Sequence, residues 1–289
     1  MKSRTSKFFN FPVTKIIVGL VVIVISVFAI QTTGQKILTH FGLSNEMKSL
    51  IVSVLESIVV LATYFYLFKF YEKREIEELS LNRFWQYAVL GFFTGFIILS
   101  FVILVMYFGK AYTIIAFHPI SFLLPALALS IPSAIVEEIV FRGVIFRITE
   151  ERLGTIWALM ISSSIFGFAH LANPNGTLLS AIAITIEAGV LLGAAYIYSR
   201  NLWLPIFIHF AWNFSEGGIY GTSISGQELL KSLITCKING SELLTGGAFG
   251  PENSLQAIFL GLIAGLLFLW MAKKQHKLIA PYWQGRQVL

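Results

Sequence analysis

Apolar runs recur along most of the chain, broken by short polar stretches. Runs of about 18 residues or more predict membrane-spanning helices rather than a soluble core. Eight spans are read in order, over 11–30, 47–70 and 85–108, then from Pro119 through Pro125 and Pro132 to Arg147, and over 155–171, 178–198, 202–214 and 255–271. The polar segment 31–45 reads as a connection. The charge-dense stretch 69–83 (KFYEKREIEELSLNR) reads as a short solvated amphipathic helix, and 215–252 as a long glycine-rich loop. An even number of spans returns both termini to one side. Gly91/Gly95, Gly189/Gly193 and Gly261/Gly265 stand four residues apart, the spacing that lets helix backbones approach closely. Pro132 predicts a bend before Glu137, with a freed carbonyl that needs another donor.

Composition narrows this reading to an all-α polytopic membrane bundle. Of 289 residues, 56% are hydrophobic and 12% charged, whereas soluble domains are usually about 25% charged. The net charge of +6 comes from lysines and arginines at the termini and in the 69–83, 147–152 and 199–201 connections. By the positive-inside rule that side is cytoplasmic, and the cationic partner surface is the lipid bilayer rather than nucleic acid. The start, MKSRTSKFF, precedes an apolar run with no small-x-small site, so an uncleaved first span is expected. The end, GRQVL, offers no prenylatable cysteine. Cys236 stands alone, which excludes an internal disulfide and a cysteine-rich metal site.

Against this background the stretch 135–147, IVEEIVFRGVIFR, is costly. One charge near the bilayer centre costs at least about 2.5–3.5 kcal/mol on insertion scales, so charged groups there mark function by default. Glu138 and Arg142 stand at i,i+4 and can pair, while Glu137 lies about 100° around the axis and stays free. His170 ends the fifth span, and His209 and Asn213 share one face of the seventh. At a rise of about 1.5 Å per residue, Glu137 and His170 lie about 20 and 22 Å from the cytoplasmic side, and His209 and Asn213 about 12 and 18 Å. Depth therefore permits one polar layer. Glu56 and Glu187 are further intramembrane carboxylates; for Glu56 a structural role in helix packing is the favoured reading.

A carboxylate in a low-dielectric cavity holds protons more readily, which suits Glu137 as a general base that activates water. Asn213 and His209 can donate to the oxyanion formed when that water attacks a peptide carbonyl. His170 can orient the water or carry the proton to the leaving amine, with Glu138 and Arg142 in support. Glu137, His170 and His209 also form a possible zinc ligand set. HExxH is absent, and direct carboxylate activation, which needs no cofactor, is favoured. Ser162, Ser163 and Ser164 lack a GxSxG-like setting and read as packing residues.

Glu137-Glu138-x-x-x-Arg142, Phe166-x-x-x-His170 and His209-x-x-x-Asn213, in this order on separate helices, resemble the three motifs of the CAAX protease and bacteriocin-processing (Abi) family. That group includes the Ras-converting type of CAAX prenyl endopeptidase and bacterial relatives tied to peptide processing and bacteriocin self-immunity. The motifs cover about 134–213, within a core of 119–215 flanked by N-terminal helices (1–118) and a loop, last helix and basic tail (216–289). The resemblance implies an intramembrane endopeptidase with a conical polar cavity. Glu137 would activate water and His170 assist, while His209 with Asn213 would stabilise the oxyanion, supported by Phe141 and Phe166. It further implies a peptide or protein substrate, prenylated or membrane-associated, and residence in a bacterial plasma membrane. Two rival classes are a non-proteolytic immunity or scaffold protein, and a transporter with a proton path through Glu56, Glu137 and Glu187, for which no inverted repeat is evident.

Overall fold

The computed structural model describes residues 10–284. Helix α1 spans Pro12–Leu38 and opens with proline at its first turn, where the missing N–H costs nothing. Helix α2, Asn45–Tyr71, is capped by Ser44, whose hydroxyl accepts from the Met47 amide. Helix α3 (Phe84–Phe108) leads into strand β1 (Tyr112–Phe117). Helix α4 (Leu124–Glu138) is continued by a π-helical stretch, Ile139–Phe146, and then by α5 (Arg147–Ala169). Helix α6 runs Leu178–Ser199 with a π-helical segment at Thr185–Gly189, and α7 (Trp203–Asn213) ends in another at Phe214–Ile219. Strand β2 (Ile234–Ile238) and helix α8 (Leu255–Lys274) complete the set.

Six helical segments are long and apolar enough to cross a membrane among the described residues. One of them, Ile120–Ala172, is 53 residues long, about 80 Å at the helical rise and far beyond a hydrocarbon core of about 30 Å. It turns back at Gly154, whose φ of 77° and ψ of 171° break the helix. A side chain there would lie 2.6 Å from Pro281 N and 2.7 Å from Ile279 O. Split at that point, and with α7 too short for the length criterion but packed inside, the chain is a polytopic helical membrane bundle with the expected order of eight helices. Phe28, Phe93, Phe101 and Phe259 stay exposed around it, as a lipid-facing surface requires.

Three details differ from the sequence reading. The fold is not purely helical: β1 and β2 form an antiparallel ribbon, Tyr112 facing Ile238, and the predicted loop 215–252 supplies one of its strands. Cys236 lies on that strand. The polar segment after 30 is helix as far as Leu38, which brings Gln31 and Gln35 onto α1. The stretch 72–83 is no solvated helix but a folded ion-pair knot: Glu72 meets Lys15, Arg74 and Arg147, each at 2.9 Å, and buried Glu78 meets Arg74 and Tyr64. Through Pro132 the chain stays α-helical, and irregular π-turns follow Glu138. The freed carbonyl is satisfied as expected, because Ala128 O, four residues before Pro132, accepts from Ser53 Oγ at 2.5 Å.

The glycine spacings do their packing work. A Cβ on Gly91 would lie 2.7 Å from Phe207 Cβ and 2.8 Å from Leu204 O, so α3 seats directly on the backbone of α7. Gly189 faces Ser163 on α5, and Gly261 faces Glu187 on α6. The ion-pair knot, the start of α1, the end of α2 and the end of the π-helical stretch that continues α4 share one face. The ribbon, the end of α1 and the starts of α2 and α4 share the other, where Lys231 holds Glu46 at 2.6 Å. Lys15, Arg74, Arg147, Arg200 and Lys277 crowd the first face; the terminal charges at 2–7 and 286 lie outside the described residues.

Candidate active site

The anchor of the site is the pair Glu138–Arg142, both 0% exposed. Arg142 Nη1 donates to Glu138 Oε1 at 2.7 Å, as the i,i+4 spacing implied. Arg142 Nη2 reaches across to Gly189 O at 3.1 Å and Ala188 O at 3.4 Å, carbonyls of the π-helical turn in α6. Its guanidinium stacks 4.6 Å from the Phe166 ring centroid. One buried cation thus ties α4, α5 and α6 together.

Glu138 has a second partner that spacing did not reveal, His209 Nδ1 on α7, at 3.0 Å. A carboxylate accepts only, so Nδ1 carries the proton and Nε2 faces the site. His170 is fixed in the same sense from the backbone, its Nδ1 lying 2.8 Å from Phe166 O, four residues back. Phe166 lies between them, its centroid 4.8 Å from the His170 ring, 6.1 Å from His209 and 5.0 Å from Phe141. The phenylalanine of the FxxxH spacing is therefore a packing floor shared by both imidazoles and the arginine.

Glu137 lies where these rings converge. Its Oε2 is 4.0 Å from His170 Nε2 and 3.9 Å from His209 Nε2, and makes no hydrogen bond among the described residues. Such separations leave room for one bridging atom. Its Oε1 accepts from Ser133 Oγ at 3.0 Å, and Ser133 Oγ accepts from Asn213 Nδ2 at 3.2 Å. Ser133 was not singled out in the sequence, although it stands four residues before Glu137 on the same helical face.

The site has two sides. On one side, an open groove of about 450 Å³ is walled by α1, α2 and α4, with Gln31, Gln35, Ser53, Glu56, Ser133 and Glu137 in its lining. Behind, a small cavity of about 20 Å³, room for about one water, is lined by His170, His209 and Asn213 together with Glu187 and Glu252. Glu56 and Glu137 thus face one space while Glu187 faces the other. Glu252, 3% exposed, comes from the glycine-rich loop, where no periodicity could have marked it.

Three motifs thus meet around one carboxylate. Residues 119–215 match the family described as type II CAAX prenyl endopeptidase Rce1-like. This third of the chain is thus similar to the core of CAAX-type membrane proteases. A stretch of 86 residues is 36% identical to the Bacillus subtilis (strain 168) protein titled "Putative membrane peptidase YdiL", covering 29% of this chain and 32% of that one. The match thus spans about a third of the curated relative's length. No solved structure matches the chain.

Two ligands on a tetrahedral zinc with bonds of about 2.0–2.1 Å sit about 3.4 Å apart, closer than the 3.9 and 4.0 Å from Glu137 to the two imidazoles. Among the described residues no group of three His, Cys, Asp or Glu side chains is arranged to hold a metal ion. As placed, Glu137, His170 and His209 stand too far apart for a formed zinc shell.

Proposed function

We propose that the chain is an intramembrane endopeptidase in which Glu137 activates water for attack on a peptide carbonyl. The observation that carries this reading is the unpartnered Glu137 Oε2 between two imidazole Nε2 atoms, at the boundary of a lateral groove and an internal cavity. A water in that gap hydrogen-bonds to Glu137, which takes its proton as the oxygen attacks. Ser133 fixes the carboxylate rotamer from the other oxygen.

The oxyanion then needs donors. His209 supplies one when Nε2 is protonated, with Nδ1 held by Glu138. Asn213 supplies a second by exchanging its bond to Ser133 for one to the oxyanion. His170 Nε2 stands across Glu137 and relays the proton to the leaving amine. Substrate is a peptide or membrane-associated protein entering from the bilayer, and the ion-pair face is cytoplasmic by its excess of arginine and lysine.

The test reconstitutes wild type, Glu137→Gln and His209→Gln in liposomes with a mixture of membrane-embedded peptides and reads new termini by mass spectrometry. Wild type yields new termini and both variants lose them. Equal processing by all three overturns the reading.

A further inference from the structure

The groove beside Glu137 holds a second carboxylate, and that carboxylate lacks a cation. Glu56, on α2, is 5% exposed, and its Oε2 accepts from Gln31 Nε2 at 3.1 Å. Glu72, Glu78, Glu138 and Glu150 each hold an arginine. Glu56 forms no ion pair among the described residues, and no Lys, Arg or His lines the groove. A carboxylate inside a membrane pairs with a cation or loses its charge. Because this groove is open and continuous with Glu137, the missing cation can arrive with whatever enters it.

Its position relative to the reacting carboxylate follows from the helices. Chains α2 and α4 both start on the ribbon face and run the same way, and the Ser53–Ala128 hydrogen bond sets those two residues level. Glu137 lies nine residues beyond Ala128 and Glu56 three beyond Ser53. At about 1.5 Å per residue, Glu56 then sits about 9 Å from Glu137 along the groove, toward the ribbon face. An extended peptide covers about 3.3 Å per residue, so the two carboxylates are about three substrate residues apart.

We propose that Glu56, positioned by Gln31, is a specificity-determining residue that selects a substrate with a lysine or arginine about three residues from the scissile bond. This rests on the endopeptidase reading. Two carboxylates along one wall repel a free C-terminal carboxylate at that subsite, so the groove favours a basic internal or N-terminal segment over a chain end. Ser53 and Gln35 add polar partners for an extended backbone, which the lipid cannot supply.

The experiment uses internally quenched apolar peptides in liposomes, each with a single Lys, Gln or Glu placed two, three or four residues to either side of the central bond. Wild type is expected to cleave the Lys peptide at the third position with a kcat/KM at least about 10-fold above its Glu counterpart. Glu56→Gln, close to isosteric, should reduce that ratio to within about 2-fold, and Glu56→Lys should invert it. Gln31→Leu gives a second, independent loosening of the same carboxylate and should narrow the ratio. Anisotropy of the same labelled peptides on the Glu137→Gln protein should give the same order of binding. Cleavage without charge preference, or with a preference that Glu56→Gln leaves intact, overturns the inference while the endopeptidase reading stands. Charge-ordered binding with no cleavage by wild type upholds Glu56 as the selector and overturns the endopeptidase reading. Neither binding nor cleavage of any peptide overturns both.

Discussion

Replacing Glu138 by leucine tests the anchor that joins stability to chemistry. Glu138 and Arg142 are both fully buried, and the guanidinium has no second carboxylate within salt-bridge range among the described residues. Removing one partner of such a pair leaves an uncompensated charge and costs about 3–5 kcal/mol. Replacing both, as Glu138→Leu/Arg142→Leu, removes the orphan charge. It still orphans the Gly189 and Ala188 carbonyls that Arg142 now satisfies, a cost of about 1–3 kcal/mol. The double variant should therefore be about 2 kcal/mol more stable than Glu138→Leu alone. Unfolding by titrating SDS into mixed micelles, followed by tryptophan fluorescence, measures it. Peptide cleavage should follow a different course. His209 Nδ1 loses its acceptor in both variants, so the regained stability brings no regained activity. A double variant as unstable as the sum of the singles, or one that cleaves like wild type, refutes the assignment of Glu138 as the shared partner of Arg142 and His209.

Three further outcomes follow from named contacts. Ser133→Ala frees Glu137 Oε1 and Asn213 Nδ2 from their common partner; one lost hydrogen bond to a charged group is about 1.5–3 kcal/mol, read as a kcat lowered about 10- to 150-fold with little change in KM. Gly91→Leu forces a side chain into Phe207 and the Leu204 carbonyl, 2.7 and 2.8 Å from the first added carbon, and should cost more than 2 kcal/mol of stability, whereas Gly42→Ala, with nothing within 4 Å, should cost little. Burial works to raise the Glu78 carboxyl, but the Arg74 hydrogen bonds and charge outweigh it and hold the group below the usual carboxylate range. A depressed carboxyl contributes stability that is complete above its unfolded value, about pH 4.3, and is lost as pH falls through its folded value, so unfolding midpoints should drop below about pH 4 and the Glu78→Gln protein should show a flatter decline.

Much of this protein is written along its chain because lipid removes most alternatives. Every backbone group inside a bilayer must be bonded within its own segment, so a long apolar run has one outcome, and the spans, their order and the Glu138–Arg142 pair could be read from local spacing. The three motifs also mark which polar residues belong together, since a set of two Glu, an Arg, two His and an Asn has no packing reason to persist in apolar helices. What spacing cannot carry is contact between segments far apart in sequence. The bond from His209 to Glu138, 71 residues away, the placing of Ser133 between Glu137 and Asn213, and the arrival of Glu252 from a loop all depend on how eight helices rotate and tilt together. The charge-rich stretch 72–83 misleads for the same reason: polarity alone suggests solvent, yet partners on α1, α2 and α5 let it be buried as a knot. Sequence decides which residues need a partner; packing decides which partner each one gets, because that is a matter of facing surfaces rather than of neighbours along the chain.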